Sequence, residues 1–147
     1  MNVKIGMNML LWGTEIGPAH IPVFEALAAA GYDGVEIPVV AQTASELKTM
    51  AAACDDLGLA RTSSAFVTED TNPISPNPAV RAAAIDNLKR SIDNAQIIGS
   101  DILIGGLYQA HKYFTGSGAT RQEWDWSADY LRICGEYAQQ AGVRLGL

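Results

Sequence analysis

The feature that most limits what this chain can fold into is an alternation. Short apolar segments of β character take turns with longer segments of helical periodicity, four times over. Val3 to Leu11 is an apolar run with few charges and suits a buried strand. Pro18 to Ala30 then places Ile21, Phe24, Leu27 and Ala28 at helical spacing, and Gly31 closes that helix. Gly34 to Val40 is β-rich. Thr43-Ala44-Ser45-Glu46 reads as a capping box, in which hydroxyl and carboxylate satisfy each other's backbone donors; its helix runs to about Leu57, with Gly58 as the stop. Leu59 to Val67 is the next strand candidate, followed by a loop from Thr68 to Asn77. Asn77-Pro78 starts a helix that repeats Val80, Ala84, Leu88, Ile92, Ala95 and Ile98 at steps of three and four, up to Gly99. Asp101 to Ile104 is a fourth strand, and Gly105 to Ala119 a long polar and aromatic loop. A fourth helix begins between about Thr120 and Ser127, with Trp124, Leu131, Cys134 and Ala138 expected on one face and Gly142 at its end. Val143 to Leu147 begins a fifth strand.

Strands that alternate with helices imply a parallel sheet joined by right-handed crossovers. Their near-continuous apolar character suits strands covered on both faces. An open doubly wound sheet and a barrel both fit this order. The phosphate-cradling loop of the first is missing, because the turn after the first strand reads LLWGTEIG rather than GxGxxG. Gly116-Ser117-Gly118 reads as a flexible loop.

Composition narrows the function classes. The 147 residues are 48% hydrophobic and 18% charged, which suits one domain, 1–147, with a core of its own. A formal charge of −6, with lysines and arginines scattered, argues against nucleic acid and acidic membranes as partners. The two cysteines, Cys54 and Cys134, lie in helices and read as small buried residues. No signal peptide or membrane-length apolar run is recognisable, so the expected location is cytoplasmic. His20 and His111 do not form a metal pair and read as surface or structural residues. Asp55-Asp56 and Glu123-Asp125 read as solvated helix ends.

Several segments together carry a resemblance: MNMLLW at the first strand, AGYDGVEIPV through the second, ISPNPAVRAAAIDNLKRSIDNAQIIGSDILIGG across the third helix and fourth strand, and EYAQQAGVRLGL at the end. They resemble the ketose 3-epimerases, the tagatose and psicose epimerase group of the xylose-isomerase-like TIM barrels. GYDGVEI is common to the wider superfamily, whereas ISPNPAVR is more specific. The resemblance implies the N-terminal half of a (β/α)8 barrel: four βα units and the start of a fifth strand. A full barrel needs roughly 250 residues.

The resemblance also implies chemistry. The family moves a proton at carbon 3 of a ketose, with a divalent metal such as manganese or cobalt held by two Glu, an Asp and a His at the ends of strands five to eight. The first of these follows a segment like VRLGL, which here ends at Leu147. The expectation is therefore a chain without metal ligands or catalytic residues of its own, inactive alone. The alternatives are a non-catalytic half-barrel scaffold or folding fragment, and, among enzymes, a hydroxypyruvate isomerase or inosose dehydratase on the same barrel.

Positions matching the family's sugar-pocket wall are Asn8, Trp12, Ser64, Phe66, Gly106 and Leu107. Trp12 would offer a flat apolar face to a sugar, and Ser64 a hydrogen bond. Glu36, flanked by Val35 and Ile37, is costly to bury unpaired; it reads either as a structural carboxylate bonded to a neighbouring loop or as a group beside the metal or substrate that does not touch the reacting atoms. Finally, Ile5, Met7, Met9, Val35, Ile37, Ile102 and Ile104 are expected on the inner face of the half-barrel. Leaving them wet would cost roughly 1.5–3 kcal/mol each, which predicts a homodimer or larger homo-oligomer joined through its open edges.

Overall fold

The computed structural model describes residues 3–147. Five parallel strands form one sheet in sequential order: β1 (Gly6–Asn8), β2 (Gly34–Pro38), β3 (Ala60–Ser64), β4 (Ile102–Ile104) and β5 (Arg144–Gly146). Helices α1 (Ile21–Ala29), α2 (Ala44–Asp56), α3 (Pro78–Ile98) and α4 (Arg121–Gln140) connect them. Sequential parallel order with a helix at each crossover is the arrangement of one half of a (β/α)8 barrel.

The helix boundaries follow from the caps. The Thr43 hydroxyl accepts the Glu46 N–H at 3.3 Å while the Glu46 carboxylate accepts the Thr43 N–H at 2.8 Å. Thr120 and Glu123 repeat that arrangement at the start of α4. The Asn77 side chain accepts the Ala79 N–H at 2.9 Å, with Pro78 in the first turn. Gly99 adopts φ 80° and ends α3, a conformation that costs a residue with a Cβ far more than glycine.

The strands are shorter than the apolar runs suggest. After Asn8 the backbone leaves the sheet, because the Asn8 side chain accepts the Leu10 N–H at 2.8 Å and folds Met9–Leu11 into a 3-10 turn. Pro18–His20 forms a second such turn ahead of α1. Near its start β2 runs very close to β3: a Cβ on Gly34 would lie 2.5 Å from the Ala60 carbonyl oxygen.

The core fills the layer between sheet and helices. Val35, Ile37 and Leu103 project into it and meet Phe24, Leu47, Met50, Leu88, Ile92 and Cys134, all fully or almost fully buried. This corrects the expected inner face. Side chains alternate along a strand, and the apolar set of β1 and β2 turns toward the helices: Val35 and Ile37 are core, and Met7 packs against it. Met9 is buried in the 3-10 turn and Ile5 is exposed. Only Ile102 and Ile104 hold the expected inner positions, and the same face also carries Asn8, Glu36, Thr62, Ser64 and Arg144, with Pro38, Ala60 and glycines at Gly6, Gly34 and Gly146. A sheet covered by helices on one side sends its alternate apolar residues to that side.

Helix α4 needs a second correction. Its buried residues are Tyr130, Cys134 and Ala138, whereas Trp124 is 67% exposed. Trp126 is the tryptophan that meets α3, with the Arg81 guanidinium 4.2 Å above its ring.

Candidate functional site

Active sites of (β/α)8 barrels form at the C-terminal ends of the strands. A cavity of ≈ 700 Å³ lies there, on the concave face of the sheet. That size is in the range of small-molecule sites.

Its floor is built from polar side chains that alternation places opposite the core. The Asn8 amide is oriented from both ends: its oxygen accepts the Leu10 N–H, and its Nδ2 donates to Glu36 Oε1 at 2.6 Å. The Thr62 hydroxyl donates to Glu36 Oε2 at 3.4 Å. Burial raises the Glu36 carboxyl above the usual carboxylate range, against the opposing pull of these two hydrogen bonds. Beside this group Ser64 is 6% exposed, and its hydroxyl oxygen has no hydrogen-bond partner among the described residues. A buried, unpartnered hydroxyl on a cavity wall is an open position for a polar ligand atom.

The wall continues through Leu10, Thr14, Phe66, Ile104 and Gly106. Gly105 makes the bend that ends β4 against its neighbour. Its φ is 146°, and a Cβ there would fall 2.0 Å from the Ala65 carbonyl oxygen. Thus Asn8, Ser64, Phe66 and Gly106, with Glu36, converge as expected. Two expected pocket residues stand apart. Leu107 is fully buried in the core and turns away from the cavity. Trp12 is 43% exposed, its N–H bonded to the Met9 carbonyl at 2.9 Å, and lies outside the cavity wall.

His111, expected to be a surface or structural residue, is exposed and in addition lines the cavity. Its ring centroid is 6.4 Å from that of Phe66, at 52°. No local spacing in the sequence signals this placement; it depends on a tether between two loops. His20 is structural, accepting the Gly17 N–H at Nδ1. The other expected helix-end carboxylates are likewise local: Asp55 pairs with Arg61 at 2.6 Å, and Asp125 with Arg121 at 3.0 Å. The thiols of Cys54 and Cys134 are each pushed up to about 11 by burial, which leaves them poor nucleophiles.

A divalent metal needs several converging donors. Among the described residues Glu36 and His111 are the two ionisable side chains on the cavity wall, and both Glu36 oxygens are engaged by Asn8 and Thr62. Among the described residues no three His, Cys, Asp or Glu side chains come together to hold an ion. The residues present do not by themselves fit a metal centre.

The geometry can be set against known proteins. Residues 24–147 match the family described as Xylose isomerase-like TIM barrel. A ketose 3-epimerase from Arthrobacter globiformis is 28% identical over 113 residues, 76% of this chain and 39% of that protein. The structure superposes on an L-ribulose 3-epimerase with TM-score 0.88 at 26% identity, covering 99% of this chain and 49% of the other. On a D-allulose 3-epimerase from Methylomonas sp. the TM-score is 0.85 at 23% identity, covering 97% and 50%. The chain therefore spans about half the length of the solved relatives, or less in the Arthrobacter case. With a family match over most of its length and half-barrel geometry throughout, this chain belongs to the xylose isomerase-like TIM barrel family.

Proposed function

We propose that the chain forms the sugar-binding half of a metal-dependent ketose 3-epimerase. One observation carries this reading: a cavity at the strand ends, floored by Asn8, Glu36 and the unpartnered hydroxyl of Ser64. The similarity to ketose, L-ribulose and D-allulose 3-epimerases supports it. Sugars present hydroxyls that both donate and accept, and this floor offers an amide, a carboxylate and a hydroxyl to meet them. Among the described residues no lysine or arginine lines the cavity, which favours a free ketose over a phosphorylated one, since a phosphate needs positive charge or converging donors. Phe66, Leu10 and Ile104 provide apolar surface for the carbon skeleton.

The metal, manganese or cobalt, is part of the proposal, held by residues other than those of this cavity. The 147-residue chain alone should therefore show no epimerase turnover with either ion. A scaffold without catalysis, or a barrel acting as a hydroxypyruvate isomerase or inosose dehydratase, is the competing reading; the incomplete donor set around Glu36 favours the scaffold for the chain by itself. A reducing compartment such as the cytoplasm suits its two free, buried cysteines. We also propose self-association through the open β1 and β5 edges.

Ligand-observed NMR tests the reading. D-tagatose or D-fructose should show saturation transfer from the chain, and D-fructose 6-phosphate should not. Equal transfer to both would remove the charge argument, and transfer to neither would remove the pocket.

A further inference from the structure

The backbone around His111 is fixed by bonds that link the segments after β3 and β4 and by a tight turn within the second of them. Val67 and Ala110 form a parallel bridge beyond the strand ends. The His111 N–H donates to the Val67 carbonyl at 2.8 Å. Asn72, 2% exposed, accepts the Ala110 N–H at 3.1 Å and the Ile74 N–H at 3.3 Å through the same side-chain oxygen. Lys112 adopts φ 62°, the one positive φ among the described non-glycine residues, and the turn closes with the Tyr113 N–H on the Ala110 carbonyl at 3.1 Å. A lysine held in the left-handed region is a cost that local preference does not explain. Its effect is to present the preceding side chain, an exposed imidazole, to the cavity against Phe66.

From this geometry we infer that His111 is a substrate-contacting, specificity-determining residue, hydrogen-bonding a hydroxyl of the bound ketose. The inference rests on the sugar-pocket reading of the same cavity. A neutral imidazole has one donor and one acceptor nitrogen, so it can bridge neighbouring hydroxyls, each of which does both. Contact with the Phe66 ring restricts the imidazole's plane, which makes the match depend on the configuration of those hydroxyls. Ser64 and His111 thus hold the sugar from adjacent strands: Ser64 from the end of β3, His111 from the loop beyond β4.

The chain has two histidines, so carbon–proton correlation spectra of the imidazoles resolve them, with His20 as an internal control. Titration with D-tagatose and D-fructose should move the His111 ring signals saturably, and by different amounts for the two sugars, while His20 stays still. The backbone bond to Val67 survives any side-chain change, so variants should fold. H111L should weaken sugar binding roughly tenfold, as for one lost hydrogen bond with its partner left unpaired, and H111N should recover part of it. If the Asn8 and Ser64 amides shift while the His111 ring does not, or if H111L binds like the native chain, the inference is overturned and the pocket stands. If none of the three responds, the pocket reading falls and the role of His111 with it.

Discussion

Ser64 and Glu36 are neighbours on one cavity floor, yet each strains stability in its own way. The Ser64 hydroxyl is buried without a partner, and an unsatisfied buried polar atom costs about 1–3 kcal/mol. Ser64→Ala removes that atom without opening a large void, so it should raise stability by about 1 kcal/mol in urea unfolding while weakening ketose binding. A loss of stability would mean that the hydroxyl has a partner in solution. Glu36 acts through its charge. Its folded pKa lies above the ordinary value of 4.5 because burial disfavours the carboxylate. A raised folded pKa favours the native state while the group is protonated, and that advantage is lost as pH rises through the folded value. Glu36→Gln keeps an acceptor for Asn8 and removes the charge. Its melting temperature relative to the native chain should therefore climb as pH rises from below 4.5 to neutrality. Glu46 and Glu123 behave oppositely: backbone hydrogen bonds in their capping boxes lower both carboxyls, so their contribution is present at neutral pH and fades on acidification. A difference between Glu36→Gln and the native chain that stays flat with pH would show that burial does not disfavour the Glu36 carboxylate.

At the scale of elements, the pieces held by short-range chemistry were legible in the chain itself. Thr43 with Glu46, Asn77 with Pro78, and Gly99 lie within a turn of the groups they satisfy, so spacing alone located three helix ends. The side to which a strand turns its residues was not legible in the same way. A shift of one residue exchanges the two faces, and Val35 and Ile37 read equally well as barrel filling or as helix-facing core until the helices are in place. Loop placement was less legible still. The position of His111 depends on Asn72, whose side chain bonds to Ala110 38 residues further along the chain, and no local pattern reports such a tether. Trp124 and Trp126 show the same limit inside α4, where the choice of the tryptophan that packs inward depends on Arg81 of α3. The tether is testable. Asn72→Ala leaves the Ala110 and Ile74 N–H groups without their acceptor in a buried site, which should destabilise the fold by about 1–3 kcal/mol. Amide exchange at Ala110 and His111 should accelerate more than in the β2–β3 ladder. Uniform acceleration across the sheet would show instead that Asn72 supports the core as a whole.

For the molecule as a whole, two effects compete in deciding whether the 147-residue chain stays alone. The concave face carries Asn8, Glu36, Thr62 and Ser64 among glycines and the two isoleucines Ile102 and Ile104, so water wets it at lower cost than a lining of apolar side chains throughout. That weakens the drive for two sheets to close face to face. The edges pull the other way. Among the described residues β1 and β5 each pair on one side only, and an unpaired parallel edge is a template for another strand. Around β1 the chain also exposes Val3, Ile5 and Leu11 at 68%, 60% and 76%, and beside β5 it exposes Leu147 at 71%. Burying an apolar side chain of this size contributes roughly 1.5–3 kcal/mol, so several at one contact, together with the edge hydrogen bonds, work against the freedom lost on association. The edges should prevail over the wetted face. Sedimentation equilibrium at micromolar concentration should give about twice the 15.6 kDa chain mass, with slow amide exchange at Gly6–Asn8 and Arg144–Gly146. Ile5→Lys adds a charge at the β1 rim without touching the core, and should shift the equilibrium toward monomer while leaving the melting profile of the monomer unchanged. A native chain that sediments as a monomer, with both edge strands exchanging freely, would mean that edge pairing is too weak to offset the entropy of association, and that a concave face already wetted by water decides the outcome.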